Sequence, residues 1–126
     1  MKKYLFFILI LGLNLSACAQ NEVLEPKVFI ENFKTHENAV LLDVRTPEEW
    51  NQGIIEGAKM INFFSPAFEA ELKKLNKEQA VYVYCKSGGR SGKTAAKLKT
   101  LGFTEVYDLS GGITAWRDQD LPTVKP

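Results

Sequence analysis

Histidine and cysteine are scarce in this chain of 126 residues, which contains one histidine, His36, and two cysteines, Cys18 and Cys85. Two cysteines form at most one disulfide, so the chain is not a disulfide-stabilised scaffold. His36 is far from Cys85 in the sequence, and a catalytic Cys–His pair is therefore not expected. A large net charge is also absent, because 16 basic side chains are balanced by 15 acidic ones. This balance gives no indication of a nucleic-acid partner.

Internal repeats, coiled-coil heptads and disordered composition are also absent. Hydrophobic residues make up 45% of the chain and charged residues 25%, which is ordinary for a soluble globular protein. A chain of this length is sufficient for one domain.

A hydrophobic run long enough to span a membrane is missing, but a shorter one opens the chain. The basic start at residues 1–3 is followed by an apolar run from Tyr4 to Leu15, interrupted by Gly12 and Asn14. A membrane span requires about 20 apolar residues. A short apolar run after a positive start is typical of a secretory signal. The alternative, a buried N-terminal helix, is disfavoured because the run has no polar face.

Two cleavage sites compete at the end of this segment. The sequence Leu15-Ser16-Ala17-Cys18 looks like a bacterial lipobox, in which cleavage precedes a lipid-carrying cysteine. Residues 17–19 also fit the small-x-small pattern of ordinary signal cleavage. The lipobox is preferred because Cys18 otherwise has no role. We expect a signal peptide at residues 1–17, lipidation of Cys18, a tether at residues 18–25 and a domain at residues 26–126. The protein would then be exported and held in a bacterial cell envelope or periplasm by a lipid anchor.

Strands and helices are predicted to alternate along the rest of the chain. In chain order the elements are a helix from Pro26, a strand at 39–44, a helix from Thr46 to Gly53, a brief strand at 60–61, a helix from Ser65, a strand at 80–84, a helix from Ser91 to Leu101, a strand at 105–109 and a helix after Gly112. Thr46 and Ser91 are the predicted N-caps. The alternation indicates an α/β fold whose central, mainly parallel sheet is flanked by helices on both faces. Ligands bind such sheets at the carboxyl ends of the strands.

The loop that follows the strand at 80–84 carries the features of a reactive site. Cys85 stands at the end of the strand, and Gly88 and Gly89 allow successive backbone amides to point inward. The next helix presents its positive end, and Lys86 and Arg90 add positive charge. All these effects favour the thiolate, which is the nucleophile. A lone cysteine is commonly an inert core residue, but the glycine-rich, positively charged loop favours a reactive Cys85 instead.

Three segments of the chain resemble the rhodanese-like sulfurtransferase family, the single-domain relatives of thiosulfate sulfurtransferase. Cys85–Ser91 resembles the family's active-site loop, in which four residues separate a cysteine from an arginine. Leu42–Trp50 resembles its Asp-Val-Arg segment, and Leu109–Trp116 its Gly-Gly-Ile-x-Ala-Trp signature. The three segments occur in family order and extend over roughly residues 25–122.

The resemblance implies a rhodanese fold and a two-step sulfur transfer that requires no metal or organic cofactor. Cys85 would take the outer sulfur of a donor such as thiosulfate as a persulfide, and cyanide or a thiol would remove it. Arg90 would close the loop and attract the anionic donor. The residues expected to bind substrate are Lys86, Ser87, Gly88, Gly89, Arg90 and Ser91.

Other residues of the matching segments are expected to support the site. Asp43 and Arg45 are interpreted as an ion pair that organises the active-site edge. Gly111 and Gly112 are expected to permit close backbone approach, and Trp116 to pack in the core.

One stretch departs from the family pattern. Many members have Gly-His-Ile-Pro-Gly where this chain has Gly53-Ile54-Ile55-Glu56-Gly57. The missing histidine is not the nucleophile, so its absence does not indicate lost activity.

Three other functions compete with sulfur transfer to a small acceptor. A phosphatase is disfavoured, because related phosphatase loops have five residues between the cysteine and the arginine. A non-enzymatic binding module is a second alternative, weakened by the presence of Cys85 and Arg90. The third is a persulfide carrier that serves a specific partner.

Overall fold

A computed structural model describes residues 20–126 of the chain. The predicted signal peptide and the lipidation of Cys18 lie outside these residues and stay predictions. Within residues 20–126, no helix is long and apolar enough to cross a lipid bilayer.

Five strands and five helices alternate along the described chain. They are β1 (Gln20–Leu24), α1 (Pro26–Thr35), β2 (Val40–Asp43), α2 (Pro47–Trp50), β3 (Lys59–Met60), α3 (Phe68–Lys73), β4 (Val81–Tyr84), α4 (Gly89–Thr100), β5 (Glu105–Leu109) and α5 (Gly112–Asp118). The strands form one sheet in the order β1-β5-β4-β2-β3, and all its pairings are parallel. The α/β prediction is therefore confirmed.

The first strand corrects the predicted tether at residues 18–25. Residues 20–24 pair with residues 105–109 of β5, and the amide of Ser110 donates to the Leu24 carbonyl at 2.8 Å. Two apolar residues, Val23 and Leu24, give this segment little strand signal. Backbone hydrogen bonds to the open edge of β5 supply the stabilisation that the side-chain pattern does not reveal.

Helices cover the sheet on both faces, and each face has its own hydrophobic cluster. Alternate residues of β4 point to opposite sides, as the pleat of a strand requires. The cluster beneath α3 and α4 includes Val81, Val83, Cys85, Leu72, Ala95 and Leu98. The cluster beneath α1 and α5 includes Tyr82, Tyr84, Phe29, Leu109, Ile113 and Trp116. Cys85 therefore lies on the α4 side of the sheet.

Helix α2 begins as predicted. The Thr46 hydroxyl accepts a hydrogen bond from the amide of Glu49, and the Glu49 carboxylate accepts one from the amide of Thr46, both at 3.4 Å. This reciprocal capping box satisfies amides that lack partners inside the helix. The helix ends at Trp50, and two turns lead to Gly53, which has a φ of 116°.

Helix α4 begins earlier than predicted, and Ser91 is not its cap. The N-cap is Gly88, with a φ of 115°, a conformation that glycine adopts far more readily than other residues. Ser91 lies within the first turn, fully buried, and its hydroxyl donates to the Gly88 carbonyl at 3.3 Å. The glycine thus turns the chain sharply after Cys85 and places Ser91 beside the sulfur.

Candidate active site

Cys85 is the first residue after β4, at the carboxyl edge of the sheet. Its side chain is 1% exposed, and it is the one free cysteine among the described residues. The chain turns over it through residues 86–88 and enters α4. The sulfur is therefore enclosed by the strand, the turn and the first turn of the helix, as the sequence predicted.

Hydrogen-bonding groups surround the sulfur. The amide of Gly88 donates to Sγ of Cys85 at 3.1 Å, and the thiol donates to the Ser91 hydroxyl oxygen at 3.4 Å. Burial raises the pKa of the Cys85 thiol, but hydrogen bonds from the Ser91 side chain and from the amides of Ser91, Gly88 and Ser87 outweigh it. The pKa of Cys85 is lowered, so the site favours the thiolate.

The first turn of helix α5 forms hydrogen bonds with the backbone of the Cys85 loop. The amide of Ile113 donates to the Cys85 carbonyl at 2.9 Å, and the amide of Thr114 donates to the Lys86 carbonyl at 3.1 Å. Gly112 makes this contact possible, because a Cβ there would lie 2.6 Å from the Cys85 carbonyl oxygen. The predicted close approach at Gly112 is confirmed.

A carboxylate that the sequence did not single out completes the site. Glu49 holds Arg90 through two hydrogen bonds, of 2.7 Å and 3.0 Å, from its guanidinium. This bidentate pair joins α2 to the first turn of α4. In the sequence, Glu49 is simply one residue of the Leu42–Trp50 segment, and 41 residues separate it from Arg90. The charge of Arg90 is thus neutralised by Glu49. Arg90 connects the Cys85 loop to α2 and is not a free cation.

The Glu49–Arg90 pair predicts how stability depends on pH. Hydrogen bonds from Arg90 hold the pKa of Glu49 at about 2, below its ordinary value of 4.5. A lowered pKa in the folded state stabilises the fold above the unfolded pKa, and this contribution is lost as pH falls through the folded pKa. Wild type should therefore exceed Glu49→Gln in free energy of unfolding at pH 7, by about 1 kcal/mol for this solvent-screened pair. The difference should vanish between pH 4.5 and pH 2 in urea titrations.

Glu48→Gln is the matched control for this comparison. Glu48 is exposed and is the sequence neighbour of Glu49. A similar acid-dependent loss in both variants would contradict a specific role of the pair.

Asp43 and Arg45 form the predicted ion pair, and both are buried. Arg45 Nε donates to Asp43 Oδ1 at 3.0 Å, and a terminal nitrogen donates to Oδ2 at 2.8 Å. The same guanidinium donates to the Gly53 carbonyl at 2.7 Å, and the Trp50 indole donates to Asp43 at 3.1 Å. The pair therefore ties β2 to α2 and to the loop after it, which is an organising role.

The segment that replaces Gly-His-Ile-Pro-Gly is anchored by other contacts. The amide of Ile55 donates a hydrogen bond to the hydroxyl of Tyr84, on β4, at 3.0 Å. Ile54 forms an antiparallel bridge with Val124. These two contacts thus hold the loop without the histidine and the proline.

A cavity of about 440 Å³ opens beside the Cys85 loop. Four of its residues are basic and one is acidic. Its lining consists of Arg45, Glu49, Gln52, Phe64, Lys86, Arg90, Ile113, Thr114 and Arg117. Arg45 and Arg90 are held in the ion pairs described above. Within residues 20–126, Lys86 and Arg117 form no salt bridge, so they supply the cavity's uncompensated positive charge.

His36 lies away from this site. Its Nδ1 is 3.0 Å from the Tyr82 hydroxyl and its Nε2 is 3.1 Å from the carboxylate of Glu105, the first residue of β5. Parallel strands place the start of β5 at the sheet edge opposite Cys85. The structure therefore does not bring together a Cys–His pair. No cluster of three or more potential metal ligands occurs within residues 20–126.

Residues 25–119 match the rhodanese-like domain family, and the chain belongs to this family. It is 37% identical over 90 residues to a sulfurtransferase of Allochromatium vinosum, a match that covers 71% of this chain and 82% of the relative. It is 38% identical to thiosulfate sulfurtransferase 16 of Arabidopsis thaliana, covering 65% of this chain and 77% of the relative. The family membership that the three motifs predicted is confirmed.

Solved structures with the same fold include a rhodanese-related protein and a polysulfide-sulfur transferase. A rhodanese-related protein of Thermoplasma volcanium superposes with a TM-score of 0.73 at 28% identity, covering 83% of this chain and 99% of that chain. The homodimeric polysulfide-sulfur transferase of Wolinella succinogenes superposes with a TM-score of 0.72 at 28% identity, covering 87% of this chain and 82% of that chain. The rhodanese fold is thus shown by similarity in structure as well as in sequence.

Proposed function

We propose that the protein is a sulfurtransferase that carries sulfane sulfur on Cys85. The Cys85 thiolate attacks the outer sulfur of a donor such as thiosulfate. A new S–S bond forms, the bond inside the donor breaks, and sulfite leaves with the bonding electron pair. A thiophilic acceptor, cyanide or a thiolate, then attacks the outer sulfur of the persulfide. The Cys85 thiolate is released unchanged, and neither step needs a metal or an organic cofactor.

The observation that carries the proposal is the hydrogen-bonded setting of the Cys85 sulfur. Donors from the loop and from Ser91 lower the pKa of the thiol. The same inward-facing amides suit an anionic persulfide, because they stabilise negative charge without rearrangement. The nearby cavity supplies positive charge from Lys86 and Arg117 for an anionic donor.

A partner-specific persulfide carrier is the second candidate, and one surface residue favours it. Phe64 lines the cavity and is 66% exposed, with the Arg90 guanidinium 5.8 Å from its ring centre. An exposed aromatic ring beside an arginine is typical of surfaces that bind a partner. In this case Cys85 would use the same chemistry, with sulfur supplied or removed by a docked protein.

Intact mass of the purified protein before and after thiosulfate treatment tests the proposal. We expect a gain of one sulfur atom, which cyanide removes again, because the persulfide is the intermediate of both steps. A folded protein with reduced Cys85 that gains no sulfur from thiosulfate would contradict the small-donor reaction. Loading from a protein persulfide alone would favour the partner-specific carrier.

A further inference from the structure

The first strand begins at the edge of the sheet opposite the active site. All strand pairings are parallel, so the strands start at one edge, named the amino edge, and end at the other, the carboxyl edge. Gln20 begins β1 at the amino edge, and Cys85 follows β4 at the carboxyl edge. Residue 20 and the candidate nucleophile are therefore separated by the length of the strands.

The strand register gives this separation. Asp108 of β5 pairs with Val23 on one side and with Val83 on the other, so these three residues lie at one level of the sheet. Gln20 stands three residues before this level, and Cys85 stands two residues after it. Five steps of about 3.3 Å separate the two residues by about 16 Å along the strand direction.

The predicted lipid anchor is attached directly before β1. Ala19 is the single residue between Cys18, which the lipobox predicts to be lipidated, and Gln20. Two residue steps span at most about 7 Å, even when the chain is fully extended. This reach is less than half of the separation of about 16 Å between Gln20 and Cys85. The carboxyl edge therefore cannot face the lipid while the Cys18 anchor is inserted in it.

The charges of the amino edge are compatible with lipid headgroups. Helices α1 and α4 each run back from the carboxyl edge to the amino edge, and their last turns carry Lys34 and Lys99. Lys77 lies in the loop that leads to β4. These three lysines form no salt bridge within residues 20–126, nor do Glu37 and Glu78 at the same edge. The small excess of positive charge attracts an anionic membrane, and the anchor supplies the main constraint.

We propose that acylated Cys18 holds the amino edge of the domain against the membrane, and that Cys85 and its cavity open away from the lipid. The short connection acts as a direct attachment, instead of the flexible tether that the sequence pattern predicts. Sulfur donors and acceptors then reach Cys85 from the aqueous phase, as small molecules or soluble proteins, and not from the lipid. The inference goes beyond the proposed sulfur transfer, because it concerns the orientation of the domain alone.

The test measures the height of two labels above the bilayer. It uses the full chain with its own N-terminal segment, purified from bacterial membranes and placed in vesicles of phosphatidylethanolamine and phosphatidylglycerol. In a Cys85→Ser background, one exposed glutamate is replaced by a cysteine that carries a fluorophore. Glu78→Cys labels the amino edge, and Glu48→Cys labels the first turn of α2 at the carboxyl edge. Energy transfer to a fluorescent headgroup lipid gives each height, and intact mass shows whether Cys18 carries lipid.

We expect the Glu48→Cys label to lie farther from the headgroups than the Glu78→Cys label, by about 13 Å. This is the length of four strand residues, and neighbouring strands β2 and β4 each have four. Equal heights, or a lower Glu48→Cys label, would overturn the proposed orientation. A mature chain without lipid on Cys18 that stays in solution would overturn it as well. Both variants lack Cys85, so these failures are distinct from a failure of sulfur loading.

A chain with about ten Gly and Ser residues inserted between Ala19 and Gln20 is the matched control. A flexible insertion of this length spans about 17 Å on average, so the domain can turn over. The difference in height between the two labels should then shrink towards zero. A difference that survives the insertion unchanged would contradict the proposal, because the short attachment would not be its cause.

Discussion

Cys85→Ser is expected to abolish sulfur loading from thiosulfate while leaving the fold intact. A serine hydroxyl is a poor nucleophile at neutral pH and cannot form a persulfide, so loading should fall by at least about a thousandfold. The smaller oxygen can still accept from the Gly88 amide and contact Ser91, as the sulfur does at 3.1 Å and 3.4 Å. Intact mass after thiosulfate treatment measures the loading, and thermal unfolding measures the fold.

Cys18→Ala is the matched control for this prediction, since Cys18 and Cys85 are the two cysteines of the chain. It should load sulfur like the wild type. If Cys85→Ser still gained sulfur and Cys18→Ala did not, the assignment of the nucleophile would be wrong.

Gly112→Ala is expected to have the largest effect on stability and to disturb the active-site loop as well. The added Cβ would lie 2.6 Å from the Cys85 carbonyl oxygen and still closer to the carbonyl of Lys86. Gly112 also has a φ of 60°, where a side chain adds strain. Helix α5 must then move away from the loop, weakening the hydrogen bonds from Ile113 and Thr114. We expect a loss of about 3 kcal/mol in the free energy of unfolding.

Gly57→Ala separates backbone strain from steric overlap. Gly57 has a φ of 85°, but a Cβ there would meet no atom within 4 Å. Its loss should be near 1 kcal/mol, the cost of the left-handed conformation alone. Urea unfolding measures both variants, and sulfur loading measures the loop. Equal losses in the two would show that α5 accommodates the methyl group and that the close approach is not required.

Local features that depend on neighbouring residues were predictable from the sequence. The alternation of apolar runs and caps predicted the parallel α/β sheet, and Thr46 capped α2 as expected. The glycine-rich turn after a buried strand identified Cys85 and its loop. These signals are readable because strand period, helix caps and turn glycines act over a few residues.

Errors arose where backbone pairing or conformation outweighed side-chain pattern. Strand β1 lies where the side-chain pattern predicts a tether, because it is stabilised by its parallel pairing with β5, far away in the sequence. The sequence pattern predicts Ser91 as the cap of α4, because serine is a common cap. Gly88, with its left-handed backbone, starts the helix earlier.

By itself, the sequence determined the family, the order of the elements from α1 to α5 and the choice of Cys85 as the candidate nucleophile. Tertiary structure alone decided the partners of the site. Glu49 neutralises Arg90 across 41 residues, and Lys86 and Arg117 are left as the cavity's uncompensated cations within the described chain. Asp108 comes beside Gly92 only because β5 pairs with β4 beneath α4. Such contacts depend on strand register and helix packing, and a single sequence carries no short-range signal for them.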